Sequence, residues 1–190
     1  MAIITLGEVV SLIIMTFGIG FIFSNLFSRL RERTQGQDPL SFYRNDKFIH
    51  DILFAAAIVA PGVVLHELGH KFVAMFFGLS AVFHAHIPGL LIGVGLKAIG
   101  FPFIIFAPGY VSISGQMTAL QGSLVAFAGP AVNLAFWLVF RFLYKREQNT
   151  NKMMIFHAIS SINLFLFIFN MLPIPPFDGY KVFSGLFSVF

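Results

Sequence analysis

The chain contains no cysteine. That excludes disulfides, thiolate nucleophiles and Cys-ligated zinc or iron–sulfur centres in one step, and leaves any metal to histidine and carboxylate. Charge is almost as scarce. Only 11% of the 190 residues are Asp, Glu, Lys or Arg, where an ordinary soluble domain has roughly 25%. So few charges cannot clothe the surface of a soluble globule, and intrinsic disorder needs the opposite composition. Heptad and collagen-like periods are missing. No basic region precedes the first apolar run and no small-x-small cleavage site follows it, which predicts a retained helix rather than a signal peptide.

What is present is apolar. Hydrophobic residues make up 57% of the chain, Phe alone occurs 26 times, and the mean hydropathy is +0.86. This is the composition of an integral membrane protein, and at about 20 residues per span the length allows roughly four to six spans. The net charge of +4 and the pI near 9.6 are not a nucleic-acid signal. The basic residues Arg29, Arg31, Arg33, Arg44 and Lys47, then Lys145, Arg146 and Lys152, sit in two short loops. Positive charge there concerns orientation and anionic lipid.

Four spans are predicted: Val9 to Phe27, Ile52 to Val73, Ser123 to Leu143 and Met153 to Leu172. Between the second and third, Ser80 to Gln116 is apolar but rich in Gly and Pro, which disfavours a continuous spanning helix and suits short strands. The expected fold is an all-α polytopic membrane protein. It has about four transmembrane helices, with a Gly/Pro-rich re-entrant or surface β-hairpin region between the second and third. The whole of 1–190 reads as one domain.

The chemistry lies in His66-Glu67-Leu68-Gly69-His70. On a helix, positions four apart share a face one turn apart, so both imidazoles can ligate one tetrahedral zinc. Glu67 is placed to take the proton of an attacking water. A carboxylate within so apolar a stretch costs about 2.5–3.5 kcal/mol on insertion scales, which argues for a function. A catalytic zinc needs a third protein ligand, and His50, Asp51, His84, His86, His157 and Asp178 are candidates. Prolines just before Asp178 break the helix and can turn it inward. If the two basic loops share a side, the second and fourth spans run parallel and bring Asp178 to the depth of the histidines. Asp178 is therefore the expected ligand. Lys71 is expected to snorkel to the interface, Glu8 to lie at the interface, and Asn163 and Ser160 to join helices.

These residues, with Ala128-Gly129-Pro130…Asn133 and Asn170…Pro173…Asp178-Gly179, resemble the site-2 protease family of intramembrane zinc metalloproteases. The likeness runs from about Pro61 to Lys181. It implies a three-helix catalytic core at about 48–181, one Zn²⁺ per chain held by His66, His70 and Asp178, and Glu67 as the general base. It also implies substrate contacts for Asn170 and Asn133, and a zinc site toward the cytoplasm, whereas the basic loops alone place it toward the other face. The expected partners are a transmembrane protein or peptide substrate and the lipid bilayer, in a prokaryotic cell membrane. An exposed strand edge around Gly89 to Gly115 is expected to receive the unwound substrate. The rival reading of the residues is a non-proteolytic metal-binding transporter or scaffold, which has no need of Glu67.

Overall fold

The computed structural model describes residues 3–35, 47–100 and 108–188. Arg44 and Pro102 lie outside them. The elements run in the order α1 (Leu6–Gln35), α2 (Lys47–Phe76), β1 (Ser80–Ala85), α3 (Ile87–Ala98), β2 (Gly109–Ser114), α4 (Ala119–Arg146), α5 (Thr150–Asn170) and α6 (Asp178–Phe187). Among the described residues, α1, α2, α4 and α5 are the four helices long and apolar enough to cross a membrane. The fold is an all-α polytopic membrane protein with one small sheet. Each span is longer than the apolar run that marks it in the sequence, because the helices carry on into the polar flanks.

Local chemistry sets the ends. Thr118 and Gln121 form a reciprocal capping box at the start of α4. Asn149 accepts from the backbone of Asn151 and Lys152 at the start of α5. Pro173, Pro175 and Pro176 stop α5 and leave a tight turn before α6. Gly179 lets α6 fold back on that turn, since a Cβ there would overlap the Met171 carbonyl.

The core is a seam between α1, α2 and β1, with Met15, Ile19, Phe27, Ala55, Ile58, Val59 and Phe83 packed together. Small residues bring the helices close, as membrane packing favours. A Cβ at Gly20 would lie 2.6 Å from the Ile52 carbonyl oxygen. The side-chain amide of Asn151 donates to the Thr34 carbonyl at 2.9 Å, so the α4–α5 connection and the C-terminal end of α1 share one end of the bundle. α2 and α5 both start from that end and run parallel.

β1 and β2 pair antiparallel, Phe83 opposite Val111. The sheet packs into the helical bundle through Phe83, which is 1% exposed and belongs to the core seam. The glycine-rich segment after β1 departs from the strand expectation: Ile87–Ala98 is a helix. In an apolar setting a helix satisfies its backbone groups internally, and this outweighs the roughly 1 kcal/mol cost of each Gly. α3 lies on α1, with Leu90 against Gly18. The Lys97 ammonium donates to Ser24 Oγ at 2.7 Å and stands 4.0 Å from the Phe21 ring centroid.

Two further expectations are corrected. Lys71 does not snorkel and Glu8 is not interfacial: they are 1% and 2% exposed and form an ion pair. Glu8 also accepts from the backbone N–H of Phe83 at 2.8 Å and of Thr5 at 2.8 Å. One carboxylate thus ties α1 to β1 and to the residue that follows His70.

Candidate metal centre

His66 and His70 sit one turn apart on α2, both buried, and Asp178 opens α6 opposite them. The three offer one ligand atom each within 4.8 Å of one another, the one such group among the described residues. His66 Nε2 lies 3.1 Å from Asp178 Oδ2 and 3.1 Å from His70 Nε2, and His70 Nε2 lies 3.3 Å from Asp178 Oδ2. Donors about 2.0–2.1 Å from a tetrahedral zinc stand about 3.3–3.4 Å apart, so the spacing fits.

The far ring nitrogens make the donor set suitable. His66 Nδ1 is 2.7 Å from Asn133 Oδ1, and His70 Nδ1 is 2.7 Å from the Val125 carbonyl oxygen. Both acceptors call for a hydrogen on Nδ1, which leaves the Nε2 lone pair of a neutral imidazole facing the cluster. Asp178 offers a carboxylate oxygen to the same point, and the ionised carboxylate is the form that binds metal. Three electron-rich atoms at this spacing call for a shared cation. Gly129 of α4 makes room for them, because a Cβ there would overlap His70 Nε2 and lie 2.7 Å from His66 Cε1.

Glu67 is half-buried, lines the cleft beside this cluster and makes no hydrogen bond among the described residues. Its carboxylate is uncommitted. The cleft measures about 1470 Å³ and is walled by apolar residues of α1 and α5, among them Ile19 and Phe165, with β2 and α6 completing it. Asn170 lines it at the end of α5, its Nδ2 donating to the Leu166 carbonyl at 3.0 Å. Asn133 is different. It is 0% exposed, with its Oδ1 on His66 and its Nδ2 on the Gly62 carbonyl and Asn163 Oδ1. Its amide is engaged by three protein partners, one of them the His66 ring, and it also lies among the residues that line the cleft.

The β2 edge also meets the cleft. The Phe83 N–H points to Glu8, away from β2, so Phe83 and Val111 are a non-hydrogen-bonded pair. The alternation turns the backbone N–H and C=O of Val111 and Ile113 away from β1, and both residues line the cleft.

The other candidate ligands do not join this group, although His86 lines the same cleft. Asp51 pairs with Arg31 at 2.6 Å, and His157 packs on Tyr144 with ring centroids 5.1 Å apart. His84 and His86 both contact the Tyr110 ring, at 5.3 and 5.9 Å. Sequence reasoning missed Lys181, which lines the cleft within electrostatic reach of Glu67. Its spacing from Asp178, three residues on along a helix, is the signal that could have found it.

Comparison with known proteins agrees with this geometry. The chain is 35% identical over 178 residues to "Putative zinc metalloprotease MJ0611" of Methanocaldococcus jannaschii, covering 92% of this chain and 82% of that protein. It is 32% identical over 143 residues to "Putative zinc metalloprotease YwhC" of Bacillus subtilis, covering 64% of each. It is also 26% identical over 145 residues to "Zinc metalloprotease MJ0392" of M. jannaschii, of which it spans 37%. The chain belongs to this family of proteins bearing zinc metalloprotease names. No family model matches the chain, and no solved structure matches it.

Proposed function

We propose that this protein is an intramembrane zinc metalloprotease of the site-2 protease type, an endopeptidase hydrolysing peptide bonds in or near transmembrane segments of other membrane proteins. The observation that carries the reading is the convergence of two imidazole nitrogens and one carboxylate beside an uncommitted Glu67, in a cleft between spanning helices. The catalytic core is α2, α4 and α5 with α6, at about 48–181, within a single domain and a prokaryotic cell membrane. His66, His70 and Asp178 hold one zinc. Zinc, when bound, supplies a Lewis acid that makes water nucleophilic near neutral pH and polarises a carbonyl.

The remaining chemistry belongs to the chain. Glu67 takes a proton from the attacking water and delivers it to the leaving amine. Asn133 holds the His66 ring from behind. Asn170, at the cleft wall, contacts the substrate backbone. A transmembrane substrate arrives as a helix with its carbonyls in i to i−4 hydrogen bonds, so it unwinds before cleavage. Each backbone group left unpaired in lipid costs several kcal/mol. The outward groups of Val111 and Ile113 repay part of that by adding the unwound chain to β2. The apolar walls of the cleft suit such a segment and exclude bulk water.

The test is cleavage of a defined transmembrane substrate by the purified protein in lipid vesicles. A zinc chelator should abolish it, and added Zn²⁺ should restore it. A metal-loaded, folded protein that cleaves no substrate bearing helix-breaking residues would instead favour a transporter or scaffold.

A further inference from the structure

Behind His66 stand two buried side-chain amides. Asn133 and Asn163 are each 0% exposed. The Nδ2 of Asn163 donates to the Ile159 carbonyl at 2.9 Å. A carbonyl only accepts, so this contact fixes which end of Asn163 is the NH₂ and turns its Oδ1 to Asn133. Asn133 Nδ2 then donates one hydrogen to Asn163 Oδ1 at 3.0 Å and the other to the Gly62 carbonyl at 3.1 Å. Its Oδ1 is left for His66 Nδ1, at 2.7 Å. That oxygen only accepts, so Nδ1 must carry the ring hydrogen and Nε2 keeps its lone pair for the cluster. Gly62 admits the arrangement, since a Cβ there would overlap Asn163 Oδ1.

We propose that Asn163 is a positioning residue for the metal centre: through Asn133 it sets the tautomer and orientation of His66, although it touches neither the cleft nor the cluster. Two backbone carbonyls, one on α2 and one on α5, orient both amides, and the orientation passes to the ring. The network has no polar atom to spare. Without Asn163, one Asn133 hydrogen loses its partner in an apolar interior, and the Gly62 carbonyl alone is left to hold the amide toward His66. The proposal rests on the reading of His66 as a metal ligand. A role confined to joining helices predicts lost stability only; this one predicts lost metal affinity in a protein that still folds.

The experiment measures Zn²⁺ affinity by chelator competition for the full chain, with the thermal transition of each metal-free variant as the control for folding. Asn163→Leu, close in volume and apolar, should bind Zn²⁺ about tenfold more weakly, at the low end for partners of a ligating histidine. Asn163→Asp supplies the acceptor oxygen again and, as the neutral acid, the donor as well. It should recover most of the affinity. A folded Asn163→Leu with unchanged Zn²⁺ affinity would overturn the proposal. ¹⁵N-histidine spectra of the metal-free wild type test the tautomer on which the proposal depends, independently of any variant. His66 should carry its hydrogen on Nδ1 before metal is added, and a predominant Nε2–H form would overturn the proposal even if Asn163→Leu failed to fold. A wild type that binds no Zn²⁺ would sink the metal centre itself, an outcome distinct from both.

Discussion

Removing the Lys71 charge should damage the protein out of proportion to anything the residue's surface position in the sequence suggests. Lys71 and Glu8 are 1% and 2% exposed, so each charge has given up its water. The carboxylate keeps its partners in the backbone of Phe83 and Thr5 and the Thr5 hydroxyl, but loses its counter-charge. Breaking a buried pair from one side typically costs about 3–5 kcal/mol, whereas replacing both members is often close to neutral. Lys71→Met should therefore destabilise the fold by about 3–5 kcal/mol. Glu8→Gln, which strands the ammonium but keeps an oxygen for the Phe83 N–H, should cost a similar amount. The double variant should cost about 2 kcal/mol or less, since no charge remains buried. The assay is a double-mutant cycle from reversible unfolding in mixed detergent micelles of increasing SDS fraction. Single effects that simply add, giving about 6 kcal/mol or more in the double variant, would refute the reasoning. Because Lys71 follows His70 directly, both single variants should also bind zinc less tightly.

Three other outcomes are expected. Gly129→Ala places a methyl group against His70 Nε2 and His66 Cε1 and should abolish zinc binding in a protein that still folds, measured as metal content after gel filtration. Val111→Pro removes an N–H turned away from β1 in a residue that lines the cleft and should slow cleavage of a transmembrane substrate at least tenfold with zinc content unchanged; an unchanged rate would remove the strand-addition step. Zinc occupancy should fall as pH drops through about 6.5, because protons compete for imidazole nitrogen, and activity should fall in parallel. Activity lost at low pH with zinc retained would point to Glu67 instead.

Much of this structure is legible along the chain, and the reason is locality. A spanning helix announces itself by a continuous apolar run, and His66, Glu67 and His70 by spacing within one turn. Asp178 is readable because prolines interrupt the chain just before it, and because charge in two loops suggests parallel helices. Contacts distant in sequence are not readable. Glu8 meets Lys71 across 63 positions, and two isolated charges near span ends look interfacial until the fold brings them together. Asn133 could be assigned to the site but not to a side of it, since only packing decides whether an amide faces the cleft or the back of a ring. α3 was missed because glycine propensity measured in water is a poor guide where a helix is the economical way to satisfy backbone groups.

The most direct test of the central claim is Glu67→Gln, with zinc content and cleavage measured on the same preparation. The replacement is isosteric, and Glu67 lines the cleft and holds no hydrogen bond among the described residues, so the change should disturb neither folding nor the metal. One zinc per chain should remain, while cleavage of a defined transmembrane substrate should fall by about 10²–10⁴-fold, the usual contribution of a general base. Cleavage at the wild-type rate with zinc in place would contradict the account.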